Sequence, residues 1–406
     1  MKLRSALFLL CLILLFAACG KSEKSKDEKM VSKTTEAPLR LIDKGIYALV
    51  LDSLASFDQM LNLQVNQIDG IEYLSFFDSN TSSFYIHNYE SGALTKQVKL
   101  YSEGPNSVSV FMSPDYYLHT LDSIFIDTNF YGYFLINGKG EVLSRVSKGP
   151  DFSSEGIKLK FDQSSYLSEK GIHGTIKGHY RKVSDHFPLL RGTLKFTESG
   201  PTADSLGSEK LFDHYEEILS FLEQGQQEKK LYVNIHRHMM QHNGDLYATT
   251  VISDTIRVFR DQKLIRSIYA GVPGYDVIDY QTYFKNNEII QGKNQMSTPT
   301  ILHRPPRYES AFLDPQGKYL YRVMSHGTKP GISPHNGKEI AIISGATLLV
   351  INIETEERSY YELPVEEIEI RSYRSSAHFV SNKGIHFRVK EQDNEDQAEF
   401  RVFGVQ

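Results

Sequence analysis

FYIHNYESGALTKQVKLYSEGP, Phe84 to Pro105, holds in one stretch the grammar that governs most of the chain. An alternating strand runs into Glu90-Ser91-Gly92, a second strand follows, and the segment stops on Gly-Pro. Alternation marks a half-buried strand. A polar triplet containing glycine turns the chain. Proline has no N–H to give a ladder, so it marks where pairing stops. The same order recurs in YGYFLINGKGEVLSRVSKGP at Tyr131 to Pro150, TIRVFRDQKLIRSIYAGVP at Thr255 to Pro273 and TLLVINIETEERSYYELP at Thr347 to Pro364. A further short strand precedes each hairpin: Glu72–Phe77, Ser123–Ile126, Asp245–Ala248 and Glu339–Ile342.

Strand, strand, turn, strand is a four-stranded sheet lacking its least regular member. Gly104 and Gly149 lie about 45 residues apart, which is close to one propeller blade. The expected fold is therefore all-β, a β-propeller, ahead of a β-sandwich pair or an open meander. Blades should begin near Leu61, Leu118, Phe187, Met239, Tyr308 and Ala377, which makes six. A seventh would need to sit between Ser154 and Lys182 or between Tyr280 and Leu302. SEKLFDHYEEILSFLEQ breaks the pattern, with Leu211, Phe212, Tyr215, Ile218, Leu219 and Leu222 at helical spacing, so a short helix is expected near 208–223. A ring of blades has a seam. Lys44–Leu51, which belongs to no repeated hairpin, should close it against the terminal strands Gly384–Val389 and Glu399–Val405.

With 406 residues the chain can bury a large core without cross-links. It has 24 Tyr and 23 Phe, which favour pleated surfaces, and no Trp. The net charge of -5 argues against nucleic acid as the main partner. The only cysteines are Cys11 and Cys19, so the folded part has no thiol chemistry and no disulfide.

Lys2 and Arg4 precede an apolar run, LFLLCLILLF at Leu7 to Phe16, then Ala17, Ala18 and Cys19. The run is short for a permanent span and suits a signal peptide, residues 1–18. Phe16-Ala17-Ala18-Cys19 resembles the bacterial lipobox, with Phe where Leu is usual. The resemblance implies lipidation of Cys19 and partnership with the membrane through the lipid anchor. Gly20 lacks an acidic retention signal, which points to the outer membrane, on its periplasmic or its outer side. Residues 19–38 are polar and charged, as a disordered tether would be, leaving 39–406 for the propeller.

Candidate sites are few. His303-Arg304-Pro305-Pro306-Arg307-Tyr308 joins two guanidinium groups, an imidazole and a ring in a stiff loop; His303, Arg304, Arg307 and Tyr308 suit an acidic ligand or partner. His236 and His238 would share a strand face and could start a metal site, but nothing nearby supplies a third ligand, so no metal is expected. Asp78-Ser79-Asn80-Thr81 and Asp127-Thr128-Asn129 read as turns, not calcium loops. No phosphate loop, nucleophile elbow or other catalytic motif is present, so no catalytic residue and no cofactor are assigned.

Lipobox, charged tether and tyrosine-rich hairpins ending in SEGPNS and SKGP are together similar to the six-bladed propeller lipoproteins of unknown function found in Bacteroidota. That resemblance covers most of the chain. It implies an envelope location and a binding or scaffolding role toward a protein, peptide or glycan. The alternative is a hydrolase or lyase acting on an envelope or extracellular glycan, which would need paired carboxylates across the channel.

Overall fold

In the computed structural model, residues 39–406 are described except 53–54, 56–59, 109–113, 129–130, 148–157, 162–163, 178–189, 197–201, 206–236, 252, 262, 276–305, 333–336, 371–376, 393 and 395. The segments read from sequence as a signal peptide (1–18), as the lipidated Cys19 and tether (19–38), and as a helix near 208–223 lie outside the described residues.

The described strands are β1 (Leu41–Val50), β2 (Met60–Ile68), β3 (Ile71–Asp78), β4 (Ser83–Asn88), β5 (Leu94–Lys99), β6 (Asp115–Thr120), β7 (Ser123–Asp127), β8 (Gly132–Ile136) and β9 (Val142–Ser147). Then come β10 (Lys158–Lys160), β11 (Tyr166–Ser168), β12 (Gly171–Lys177), β13 (Leu190–Leu194), β14 (Thr202–Ser205), β15 (Arg237–His242), β16 (Asp245–Thr250), β17 (Thr255–Arg260) and β18 (Lys263–Tyr269). The last are β19 (Arg307–Leu313), β20 (Tyr319–Ser325), β21 (Thr328–Ile332), β22 (Glu339–Ile343), β23 (Ala346–Asn352), β24 (Arg358–Glu362), β25 (His378–Ser381), β26 (Gly384–Arg388) and β27 (Gln397–Val405).

They form six antiparallel blades of a β-propeller. Blade one is β2-β3-β4-β5, blade two β6-β7-β8-β9 and blade four β15-β16-β17-β18. Blade three is β10-β12-β13-β14, with β11 also on β12. Blade five is β19-β20-β23-β24. Blade six is β25-β26-β27-β1, so the first strand of the chain is the outermost strand of the last blade.

The first strand of each blade is the inner one: β2 lies beside β6 and β25, and β19 beside β15 and β25. The outer strands β5, β9, β18 and β24 are largely exposed, as their lysines, arginines and serines require. Between them the second and third strands are nearly all buried; β23, ATLLVIN, is buried at every position. The core is stored between blades. One cluster joins Leu246, Val258 and Ile268 of blade four to Tyr308, Leu320 and Met324 of blade five. Another joins Leu74, Phe76 and Tyr85 of blade one to Leu49, Phe379 and Phe400 of blade six.

Neighbouring inner strands run in the same direction. Asn62 Nδ2 donates to Pro114 O and Gln64 Nε2 to Tyr116 O, both at 2.7 Å, so β2 and β6 advance together. All inner strands then start at one end of the channel, here called the upper face. The second-to-third-strand turns lie there too. Asp78 Oδ1 accepts from the N–H and hydroxyl of Thr81, and Thr128 Oγ1 accepts from the N–H of Tyr131 and Gly132, the turn chemistry expected of those segments.

Two assignments from sequence need correction. The third blade does not begin near Phe187. Its inner position is held by β10 and β11, both paired to β12 with residues 161–165 between them. That interruption removes the period on which the reading relied, and 158–177 is the inner part of blade three, not a seventh blade. Glu339–Ile342 is not the second strand of blade five. It pairs with β21 in a separate two-stranded ribbon, and β20 pairs with β23 across that insertion.

Histidines act as rivets between blades. His386 in β26 accepts from the Tyr89 hydroxyl through Nε2 at 2.7 Å, joining blade six to blade one. His378 Nδ1 is 3.0 Å from Ser310 Oγ, and its Nε2 is 2.9 Å from Glu369 O. Burial pushes His378 down to about 4 and His386 down to about 3, from an ordinary 6.5. Both rings are neutral in the folded state at pH 5, while the unfolded chain takes up protons below 6.5. Stability is therefore full above pH 6.5 and is lost as pH falls toward 4. Two such groups give a slope of about 2.7 kcal/mol per pH unit. Urea unfolding at pH 6.5, 5.5 and 4.5 should show this fall, and replacing both rings by Gln should reduce its slope. A wild-type stability constant across that range would contradict the assignment.

Candidate functional site

On the upper face, where blades four and five meet, side chains from several segments are hydrogen-bonded to one another. β19 starts there with Arg307, whose Cα partner is Ser325 at the end of β20. The next residue, His326, bonds through its N–H to Gly345 O at 2.9 Å. A Cβ on Gly345 would lie 2.7 Å from His326 Nδ1, so the close approach of that ring needs glycine.

Four side chains from separate segments make a directional chain here. Glu362 Oε1 accepts the hydroxyl proton of Thr347 at 2.9 Å. Thr347 has only that proton, so at 2.7 Å its oxygen accepts from His326 Nε2–H. Nδ1 then carries the lone pair, 2.9 Å from the Tyr275 hydroxyl. The Tyr275 and His326 rings also stack, with centroids 4.0 Å apart. Burial lowers the pKa of His326, and the Glu362 charge opposes that shift. The chain thus holds a neutral imidazole in one tautomer beneath a half-exposed phenol. Chemically it offers a stacking ring with a hydroxyl whose proton is already directed inward.

Of the sequence candidates, His303 and Arg304 lie outside the described residues. Arg307 is half-buried and its fork is engaged by Glu309, Nε to Oε1 and Nη2 to Oε2, both at 2.9 Å. Tyr308 points into the core at 0% exposure and donates to Asp254 Oδ1 at 2.5 Å. Its ring faces Arg322, whose guanidinium carbon is 3.3 Å from the ring centroid. Arg307 and Tyr308 therefore open the same strand toward opposite environments, as alternation demands.

Arg322 is wholly buried and fastens blade five to blade four. Nη1 donates to Ala270 O, and Nη2 to Thr249 Oγ1, Thr250 O and Ser253 O. Burial lowers its pKa to about 10, with Tyr308 and Asp254 opposing, so it stays charged at neutral pH.

His236 lies outside the described residues, and His238 sits on β15 opposite Thr249. Among the described residues no group of three metal-binding side chains occurs. Tyr275, His326, Thr347 and Glu362 were missed from sequence. They come from a blade connection, two strand ends and a strand start, and no local spacing links them.

No curated protein matches this sequence. Among solved structures, a Bacteroides vulgatus member of the DUF4221 family is similar with a TM-score of 0.63 at 16% identity, over 91% of this chain and 99% of that one. A Bacteroides fragilis protein described as exported matches with a TM-score of 0.47 at 11% identity, over 90% and 97%. A streptogramin B lyase matches with a TM-score of 0.41 at 10% identity, over 89% and 98%. The first of these supports the propeller fold, and the sequence itself carries a family match: residues 25–178 correspond to DUF4221, a domain of unknown function.

Proposed function

We propose that the protein is a lipid-anchored binding module of the cell envelope, with residues 1–18 as signal peptide, Cys19 as lipid attachment site and 19–38 as tether. The propeller presents its upper face, centred on blades four and five, to another component of the envelope. The observation that carries this reading is the gathering there of half-exposed polar and aromatic groups, Tyr275, His326 and Arg307, the last held by the buried Glu309 carboxylate, on one rigid frame. A propeller frame supplies the rigidity and its loop face supplies the specificity.

Site-specific photo-crosslinking in the producing cells tests it. A photoreactive residue at exposed Ser344, on the upper face, should yield adducts, and one at Glu90, in a third-to-fourth-strand turn at the opposite end, should not. Cys19→Ala should move the chain out of the membrane fraction. Equal adducts from both faces, or retention of the Cys19→Ala chain on the membrane, would refute the corresponding half of the reading.

A further inference from the structure

The ribbon β21–β22 interrupts blade five between β20 and β23, so it stands on the upper face. Its hydrogen-bond parity follows from one contact. Ser344 N donates to Gly327 O at 3.1 Å, which makes Gly327 and Ser344 a bonded pair. Bonded and non-bonded pairs alternate along an antiparallel ladder. Lys329/Ile342 and Gly331/Ile340 are therefore bonded pairs, and Thr328/Ile343, Pro330/Ala341 and Ile332/Glu339 are non-bonded pairs. This agrees with Pro330, which has no N–H to give a partner. The N–H and C=O of Glu339, Ala341 and Ile343 consequently point away from β21.

The two edges differ. On β21 the middle outward position is Pro330, which removes a donor and blunts the edge. On β22 all three outward positions keep both groups, and among the described residues β22 pairs with β21 alone. The side chains favour the same edge. Ile340 is 37% exposed, and its cross-strand partner is Gly331, which has no side chain to cover it. Ile342 leans over Gly331, where a Cβ would lie 1.9 Å from its Cδ1. A strand added beside β22 would set a side chain against the open side of Ile340. Exposed Lys338 lies two residues before Ile340, at the start of β22.

We infer that β22 takes an extended polypeptide segment as a third strand. That segment carries an apolar side chain opposite Ile340 and an acidic one beside Lys338. Backbone pairing at Glu339, Ala341 and Ile343 gives affinity, and the two side-chain positions give selectivity. The inference rests on the upper face being the binding surface and names the partner chemistry there.

A displayed heptapeptide library panned on the detergent-extracted full chain supplies the probe. Selected peptides should carry an apolar residue with an acidic one two positions away. On binding they should slow amide exchange at Glu339, Ala341 and Ile343, and leave Ile340 and Ile342 unchanged because those already bond to β21. Ala341→Pro, which copies on β22 what Pro330 does on β21, should weaken binding about tenfold or more. Ile340→Ser, at an exposed position that does not disturb the fold, should weaken it about tenfold. Unchanged affinity in the folded variants, or protection at other amides, would overturn the inference. So would a wild-type dimer that Ala341→Pro dissociates, because the occupant would then be a second copy. If Ser344 still crosslinks in cells while these peptide results fail, the strand site falls and the upper-face reading stands.

Discussion

A chain lacking Leu41–Val50 is expected to be insoluble, or soluble but rapidly cleaved by protease, with no cooperative melting transition. β1 pairs with β27 from Leu41 opposite Val405 to Val50 opposite Gln397. Leu49 is fully buried in the cluster shared with Phe379, Ala398 and Phe400 of blade six. Removing a buried large side chain costs about 2–5 kcal/mol. Each lost ladder bond adds roughly 0.5–1.5 kcal/mol. The sum meets a total stability of about 5–15 kcal/mol for a typical fold. Deleting Glu399–Gln406 should do the same, because Phe400 and Val402 go with it. Limited proteolysis and thermal melts of both deletions decide the matter. A protease-resistant product that melts cooperatively would show that the seam is dispensable.

Arg322→Ala should be the most damaging single substitution, lowering unfolding free energy by about 3–5 kcal/mol. It strips the donor from Ala270 O and Ser253 O, leaves Thr250 O only the Ser253 N–H, and opens a space against the Tyr308 ring. Orphaned buried carbonyls cost about 1–3 kcal/mol each when water cannot reach them. Arg322→Met fills the space but supplies no donor, so it should recover part of the loss. Urea denaturation measures both. A change below about 1 kcal/mol for Arg322→Ala would mean that the Arg322 bonds do not hold blades four and five together.

The features visible in the sequence are those whose signal is local. The hairpins at Phe84–Pro105 and Tyr131–Pro150 appear as β4–β5 and β8–β9 because alternation, turn and stop lie within about 20 residues. The seam was legible because both of its strands have period two and Lys44–Leu51 belongs to no repeated hairpin, which left it to pair with the end of the chain. Blade three was not, because its inner strand is split between β10 and β11. In blade five, Glu339–Ile342 and Tyr319–Ser325 are equally good strands, and only the pairing with Ala346–Asn352 tells which belongs to the blade. The site was less legible still. Arg307 and Tyr308 look alike in a loop, yet strand alternation sends one toward Glu309 and the other into the core. The chain Tyr275–His326–Thr347–Glu362 exists only after blades four and five have met.

Because β1 is the outermost strand of blade six, 358 residues separate Asp43 from Arg401, its ion-pair partner at the seam. A ribosome adding about 5–20 residues per second needs roughly 20–70 s to cover that interval. For all of that time Leu41–Val50 has no sheet to join, and its backbone groups are available to any other chain. Its composition suits the wait. Asp43, Lys44 and Gly45 sit in a bulge where the register with β27 shifts, and charges and bulges discourage edge-to-edge association. The residues that close the ring last also guard the strand that waits longest.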